Sequence, residues 1–463
     1  MEQRVQDFFQ GMRGKRVAFC GIGGSNLPLV KIFHKYGAVV TACDRRSREA
    51  LGEAADELED MGVILRLGDD YLQHLDVDIL FRTPGMRFYL PELNQARQRG
   101  IAVTSEMEMF FALCPCKIYA VTGSDGKTTT TTILSELLKA VGKRVHLGGN
   151  IGRPLLPDLE FIRSEDVAVV ELSSFQLISM RQSPHVAVVT NLSPNHLDVH
   201  KDMAEYVEAK KNIFLHQDAF SKTVLNLENE WTRSFGEEVR GQRFFFSATQ
   251  PCEYGAWLRG DTIVIQEGEA VTEVIPAADI KIPGKHNIEN YLAAITAAWG
   301  DVNVEDIQKV AKEFGGVPHR AELVRVHRGV SYYNDSIGTS PTRTASGTLS
   351  LYDQKILLIA GGYDKKIPFD ELGPVIVDKV KTLILMGATA PKIQAAVEAA
   401  PAYTEGCPKI LHASSMEEAV TLASQEAQEG DIVSLSPACA SFDQYPNFEA
   451  RGNHFKELVH ALI

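Results

Sequence analysis

Ala120 to Thr130, AVTGSDGKTTT, gathers in one short run the residue types that hold a nucleoside triphosphate. Gly123 and Gly126 leave backbone N–H groups open to an anion. Lys127 offers a cation to the outer phosphates, and the Thr128 hydroxyl suits magnesium. Ser124, Asp125 and Thr129 complete the turn. The full Walker spacing would place a glycine where Val121 stands, so the match is partial. Context strengthens it: an apolar strand, Ile118 to Thr122, runs in, and a Thr-rich helix runs out, putting the loop at a helix N-terminus whose dipole favours anions.

Further chemistry follows at regular intervals. VAVVEL, 167 to 172, delivers Glu171 to a strand end just before Ser173, Ser174, Phe175 and Gln176, where a carboxylate would suit a hard cation. NLSPNHLDVH, 191 to 200, spaces His196 and His200 as a helical zinc pair would. A zincin needs Glu after the first histidine, however, and Leu197 stands there, so His196 beside a magnesium nucleotide is the better candidate. YVEAKK, 206 to 211, puts Lys210 and Lys211 on a helix, for which solvated surface is the ordinary expectation. In GKHNIENYLAA, Asn287 and Asn290 lie about one helical turn apart and could bond a base edge. Arg320 and Asp335 add a cation and a carboxylate suited to phosphate and ribose. Lys365 and Ser441 end later strand-like runs, where a small anion could dock.

The elements that must carry these residues read as strand, turn and helix repeated. RVAFCG, 16 to 21, and VVTACD, 39 to 44, frame a turn with Gly21, Gly23 and Gly24. Asp44 stands where a dinucleotide fold keeps its ribose acid, yet Asn26 replaces the third glycine of that fingerprint, which favours a nucleotide bound by related geometry over NAD. ILFRTPG, 79 to 85, ends a strand in a Thr-Pro-Gly turn, either an ordinary loop or a second phosphate or sugar contact. The pattern restarts beyond Val317 with Tyr332 to Ser336, KILLIAGG, TLILMG and DIVSLS. Alternating strands and helices predict an α/β protein of three domains, over 1–106, 107–316 and 317–463, with ligands at the carboxyl ends of the strands.

Composition narrows the partners. Sixty acidic against 47 basic residues give a formal charge of -13, which repels nucleic acid. The absence of a signal-peptide pattern and of any long apolar run predicts a cytoplasmic chain with no membrane partner. Seven cysteines without framework spacing predict reduced thiols. Cys114 and Cys116 lack the second pair that a zinc site would need.

Taken in order, GSDGKT, ELSSFQ, NHLD, YVEAK, HNIENY, PHRAE, NDS and SPACASFDQYPNFEARGNHF resemble the Mur ligases of peptidoglycan synthesis over essentially the whole chain. The resemblance implies a Rossmann-like UDP-binding domain, a central P-loop ATPase-like domain with a mostly parallel sheet, and a Rossmann-like C-terminal domain for the incoming amino acid. ELSSFQL and the long C-terminal motif point to D-glutamate as that amino acid, with ATP and UDP-N-acetylmuramoyl-L-alanine as the other substrates. It implies an acyl-phosphate route, two magnesium sites and a monomer.

The same resemblance implies roles residue by residue. Gly23, Ser25, Asn26, Asp44, Arg45, Thr83 and Gly85 would hold the UDP moiety. Lys127 would contact ATP, Thr128 and Glu171 would bind one magnesium, and His196 with a carbamylated Lys210 the other. Asn150, Ser173 and Gln176 would approach the muramoyl substrate, Asn290 adenine, and Arg320 and Asp335 the phosphates and ribose. Thr339, Lys365, Ser441 and Phe448 would surround D-glutamate. Four departures stand out: Ile337 where the family often has Lys, Asp125 for a loop Asn, Asn195 for an acid, and Tyr363 inside a Gly-Gly-Asp-Gly-Lys pattern. The competing expectations are another Mur-type or folylpolyglutamate-type ligase, or a nucleotide-binding regulator without turnover.

Overall fold

Strands that helices cover on both faces must be apolar at every position rather than at alternate ones, and the apolar runs take that place. In the computed structural model, which describes residues 3–193, 200–365 and 367–463, β1 (Arg16–Cys20) is buried from Val17 onward. Together with β2 (Val39–Asp44), β3 (Ile64–Leu67), β4 (Ile79–Arg82) and β5 (Ala102–Thr104) it forms a parallel sheet of order β3-β2-β1-β4-β5. The order reverses between β1 and β4, which opens a crevice at their carboxyl ends. Their exits are stitched together where Thr83 N–H donates to Cys20 O at 3.0 Å.

The second sheet comprises β6 (Lys117–Thr122), β7 (Val145–Gly149), β8 (Val167–Glu171), β9 (Val186–Val189), β10 (Lys222–Asn226), β11 (Gln242–Ser247), β12 (Tyr254–Arg259), β13 (Thr262–Glu267) and β14 (Ala270–Pro276). Its order is β14-β13-β12-β11-β10-β9-β6-β8-β7, parallel from β7 across to β12 and antiparallel beyond. β6 sits between β8 and β9, so the phosphate loop, the end of β8 and the end of β9 emerge side by side.

The third sheet, β15 (Glu322–His327), β16 (Val330–Asn334), β17 (Ile356–Ala360), β18 (Val380–Leu385), β19 (Lys409–His412) and β20 (Ile432–Leu435), has the order β15-β16-β20-β17-β18-β19. It is parallel except for β15. The α/β class and the mostly parallel sheets match the sequence reading.

Met1–Asp279 with His286–Lys312 make one compact unit, and Ile280–Lys285 with Glu313–Ile463 make the other. The first unit holds the first two sheets, and a continuous apolar core joins them. Phe19, Phe33 and Phe81 pack at 4.9–5.3 Å between ring centroids. The same core extends through Phe110 of the helix Glu106–Leu113 to Ile118 of β6 and Ala168 of β8. Each such aromatic contributes roughly 1.5–3 kcal/mol by leaving water. Among the described residues no helix is long and apolar enough to cross a membrane.

Candidate active site

The loop after β6 is clasped from β9. Ser124 N–H donates to Asn191 O at 2.9 Å, Asp125 N–H to Asn191 Oδ1 at 2.9 Å, and Thr190 Oγ1 to Asp125 O at 2.6 Å. The chain then enters the helix Lys127–Ala140 through Gly126, whose φ of +76° is left-handed and whose missing Cβ leaves room for Asn290 Oδ1. That makes Asn290, which also accepts from Thr130 Oγ1 at 3.1 Å, a wall of the loop. The Ser124 hydroxyl meets Tyr206 Oη at 2.8 Å and accepts from Ser193 N–H at 2.9 Å, so its side chain holds the loop in shape. Lys127 Nζ bends back to Ser124 O at 2.9 Å, and Asp125 turns outward, exposed.

Glu171, at the end of β8, is 1% exposed. Asn150 Nδ2 donates to its Oε1 at 2.7 Å, and Asn150 N–H to its backbone carbonyl at 2.8 Å. Its Oε2 is buried with no hydrogen-bond partner among the described residues. An acceptor left bare in this way costs free energy unless a cation or donor meets it. A carboxylate oxygen of this kind is a donor that a hard cation such as magnesium takes.

Lys210, on the helix Met203–Lys211, is 2% exposed and donates to Gly123 O at 2.8 Å and Thr122 Oγ1 at 3.0 Å. Burial first, and then the like charge of Lys127, push its ammonium pKa well below the ordinary value, against the opposing pull of Glu171 and Asp125. A lysine so placed gives up its proton more easily than one in water, and its free amine is a nucleophile. Lys211 has the opposite fate, paired with Glu208 at 2.9 Å and Glu238 at 2.8 Å, so surface chemistry describes Lys211 and fails for Lys210.

Ser173 and Gln176 form a capping box on the short helix Ser174–Leu177: Ser173 N–H donates to Gln176 Oε1 at 2.9 Å, and Gln176 N–H to Ser173 Oγ at 3.3 Å. His196 and Asn195 lie outside the described residues. His200, at the far edge of that segment, stacks on Phe175 at 5.2 Å and bonds Ser174 Oγ at 2.9 Å.

In the first sheet, Asp44 accepts from Ile22 N–H at 2.7 Å and from Arg46 Nη2 at 2.9 Å. Burial works to raise its pKa, but the hydrogen bonds from Arg46 and Ile22 outweigh it and hold the carboxyl below its ordinary value. Arg46 also donates to Ile22 O at 2.6 Å and so shapes the glycine turn. Arg45, the cation chosen from sequence, is exposed beside Asp69. Asn26 is 1% exposed, with Nδ2 on Cys20 O and Gly21 O, both at 3.1 Å. Gly23 and Gly85 are exposed, and Ser25 and Thr83 half-buried, around the same strand ends.

The second unit has its own crevice at the ends of β16, β17 and β20. Asp335 is 3% exposed and accepts from Ser436 Oγ at 2.9 Å, Thr348 Oγ1 and Ala321 N–H, with burial raising its pKa. His319 and Ala321, flanking Arg320, and Ala438 after β20 are non-glycine residues with positive φ (62°, 44° and 58°), a concentration of backbone strain typical of ligand sites. Thr339 and Lys365 meet where Lys365 Nζ donates to Thr339 O at 3.2 Å. Ser441 is 2% exposed, and Phe448 sets its ring edge-on to His319 at 5.9 Å. Sequence reasoning missed Arg451, buried and donating to Ser336, Cys439 and Ala440; within the mixed polar and apolar FEARGNHF run nothing set this arginine apart from a solvated one.

The Mur ligase middle domain matches residues 121–298, and the Mur ligase glutamate ligase domain matches residues 319–439. The UDP-N-acetylmuramoylalanine–D-glutamate ligase of Acetivibrio thermocellus is 51% identical over 468 residues, covering 100% of both chains. The enzyme of that name from Clostridium botulinum is 48% identical, again over 100% of both. Among solved structures, the UDP-N-acetylmuramate-alanine ligase of Thermotoga maritima superposes with a TM-score of 0.58 at 16% identity, over 96% of this chain and 99% of that one. MurF from Acinetobacter baumannii gives 0.57 at 16% identity over 98% of each. These two share the fold.

Proposed function

The chain belongs to the Mur ligase family, among the UDP-N-acetylmuramoylalanine–D-glutamate ligases, and from that premise we propose how its residues divide the work. It is an ATP-dependent ligase of peptidoglycan precursor synthesis, with UDP-N-acetylmuramoyl-L-alanine and D-glutamate as its other substrates. The observation that carries the assignment of roles is the convergence about one phosphate loop of Lys127, a bare Glu171 oxygen and a buried Lys210 bonded to the Gly123 carbonyl, its pKa lowered.

The backbone of residues 123–128 and the Lys127 ammonium would cradle the β- and γ-phosphates, with Asn290 against the nucleotide side of the loop. Thr128 and Glu171 would hold a magnesium ion, which spreads the negative charge that develops on the phosphates. The free amine of Lys210 Nζ would add to carbon dioxide and lose a proton, leaving a carbamate anion facing the same site; His196 is proposed beside it. The muramoyl carboxylate oxygen attacks the γ-phosphorus, the bond to the ADP oxygen breaks, and an acyl phosphate results. The D-glutamate amine then attacks the acyl carbon, loses a proton, and phosphate leaves through a tetrahedral intermediate. Asn150 would orient the muramoyl end while it holds Glu171. Asp44, Arg46, Asn26 and Thr83 support a UDP site at the ends of β1 and β4. Thr339, Lys365, Ser441 and Phe448 would receive D-glutamate, and Arg320 and Asp335 would serve the nucleotide. We place the reaction in the cytoplasm and the enzyme as a monomer.

Phosphate release with UDP-N-acetylmuramoyl-L-alanine, magnesium ATP and each candidate amino acid tests the reading. Release that requires D-glutamate supports it, release indifferent to the acceptor sinks the acceptor assignment, and tight ATP binding without turnover favours a regulator.

A further inference from the structure

Cys114, Pro115 and Cys116 link the helix Glu106–Leu113 to β6. The Cys114 and Cys116 sulfurs lie 3.5 Å apart, and Cys114 Sγ also approaches Cys116 O at 3.9 Å. Cys116 is buried at 2% exposure, while Cys114 is half-buried and reachable. The other adjacent pair, Cys20 and Cys43 on neighbouring strands, is fully enclosed. We propose that Cys114 and Cys116 form a dithiol modification site that undergoes exchange with low-molecular-weight disulfides.

The Cys114 thiolate attacks one sulfur of the small disulfide RSSR, forming a Cys114–SR mixed disulfide and releasing RS⁻. Cys116 gives up its proton to the released thiolate, attacks Cys114 Sγ and expels the second RS⁻, which takes the Cys114 proton from solvent. Two protein thiols and RSSR thus become one protein disulfide and two RSH, with two electrons passing to RSSR. The order follows from exposure. It is reinforced by the hydrogen bond that the two thiols share, which lowers the Cys114 pKa from its ordinary value and raises that of Cys116. The sulfurs need only close from 3.5 Å to the bonded distance of about 2.05 Å.

Trypsin isolates the pair, because Gly100 to Lys117 contains both cysteines and no other. The native enzyme is exposed to oxidised glutathione, quenched in acid, alkylated, digested and weighed. In the wild type this peptide is expected to lose two hydrogens, restored by dithiothreitol. In Cys114→Ser, with ligase activity unchanged, the peptide is expected to carry no glutathione. In Cys116→Ser it should stop at a mixed disulfide on Cys114. The proposal is overturned if the wild-type peptide keeps both thiols after the exposed Cys407 has formed its mixed disulfide. It is equally overturned if Cys114→Ser acquires glutathione on Cys116. The wild type and Cys114→Ser suffice should Cys116→Ser not fold.

Discussion

Lys210 Nζ donates to the Gly123 carbonyl at 2.8 Å, which ties the helix Met203–Lys211 to the first residue of the phosphate loop. Two roles would meet in that contact: the lysine braces the loop, and, on the proposed function, its amine, lowered in pKa by burial, takes up carbon dioxide. Lys210→Ala should cut turnover by roughly 10–100-fold, the scale on which an ion's supporting groups act. Bicarbonate should leave the variant unchanged, whereas a small carboxylic acid should restore part of the rate. In the wild type, removing carbon dioxide should lower the rate reversibly. A wild type indifferent to carbon dioxide would leave Lys210 with the brace alone.

The bare Oε2 of Glu171 leads to a second expectation. Glu171→Gln keeps the shape and the bond from Asn150 yet removes the charge that makes the site favour a cation. The apparent magnesium requirement should rise roughly 10–100-fold. In thermal melts without nucleotide the variant should match or exceed the wild type, since no buried charge has to be held. The shift that magnesium ATP gives the wild type should shrink. A variant that melts early without ligand and responds fully to magnesium ATP would make Glu171 a structural carboxylate.

Lys210 and Arg46 mark where sequence reading reaches its limit. The strands that carry the site were legible because β8, β9 and β17 are buried throughout, and β6 from Ile118 onward, and therefore read as apolar runs. From β11 to β14 the strands are less fully buried, as in Ala270–Pro276 with only Val274 and Ile275 enclosed, and their pattern did not stand out. Neighbouring lysines cannot be told apart by composition, and Lys210 was singled out from Lys211 only through the family resemblance. Arg45 was named through the same resemblance, and Arg46 was not considered. Near a strand end successive side chains point to opposite sides, so the residue two beyond Asp44, rather than the next, turns back onto its carboxylate.

Arg46→Ala tests that pairing. Asp44 is held below its ordinary value of 3.8, so its contribution to stability is present above that pH and fades as the pH falls through the lower folded value. Loss of Arg46 should move acid unfolding to higher pH. It should also raise KM for the UDP-linked substrate several-fold with kcat little changed, because uniform binding is lost rather than anything special to the transition state. A fall in kcat at constant KM would remove Arg46 from the UDP site.

Glu106 answers to pH in the opposite sense. It is 6% exposed, its Oε1 accepts from Leu155 N–H and Leu156 N–H at 2.8 Å each, and burial pushes its pKa up from 4.5 to about 7 despite those bonds. The folded protein therefore keeps a proton that the unfolded chain releases, and stability is lost progressively as pH rises from about 4.5 through about 7. Glu106→Gln retains the acceptor oxygen and removes the ionisation. At pH 8 the variant should gain on the wild type by about 2 kcal/mol relative to the comparison at pH 5, on the scale of 1.36 kcal/mol per pKa unit. Denaturant unfolding at the two pH values measures the difference. Equal slopes of stability against pH in the two proteins would mean that Glu106 ionises at its ordinary value, with the two N–H donors outweighing its burial.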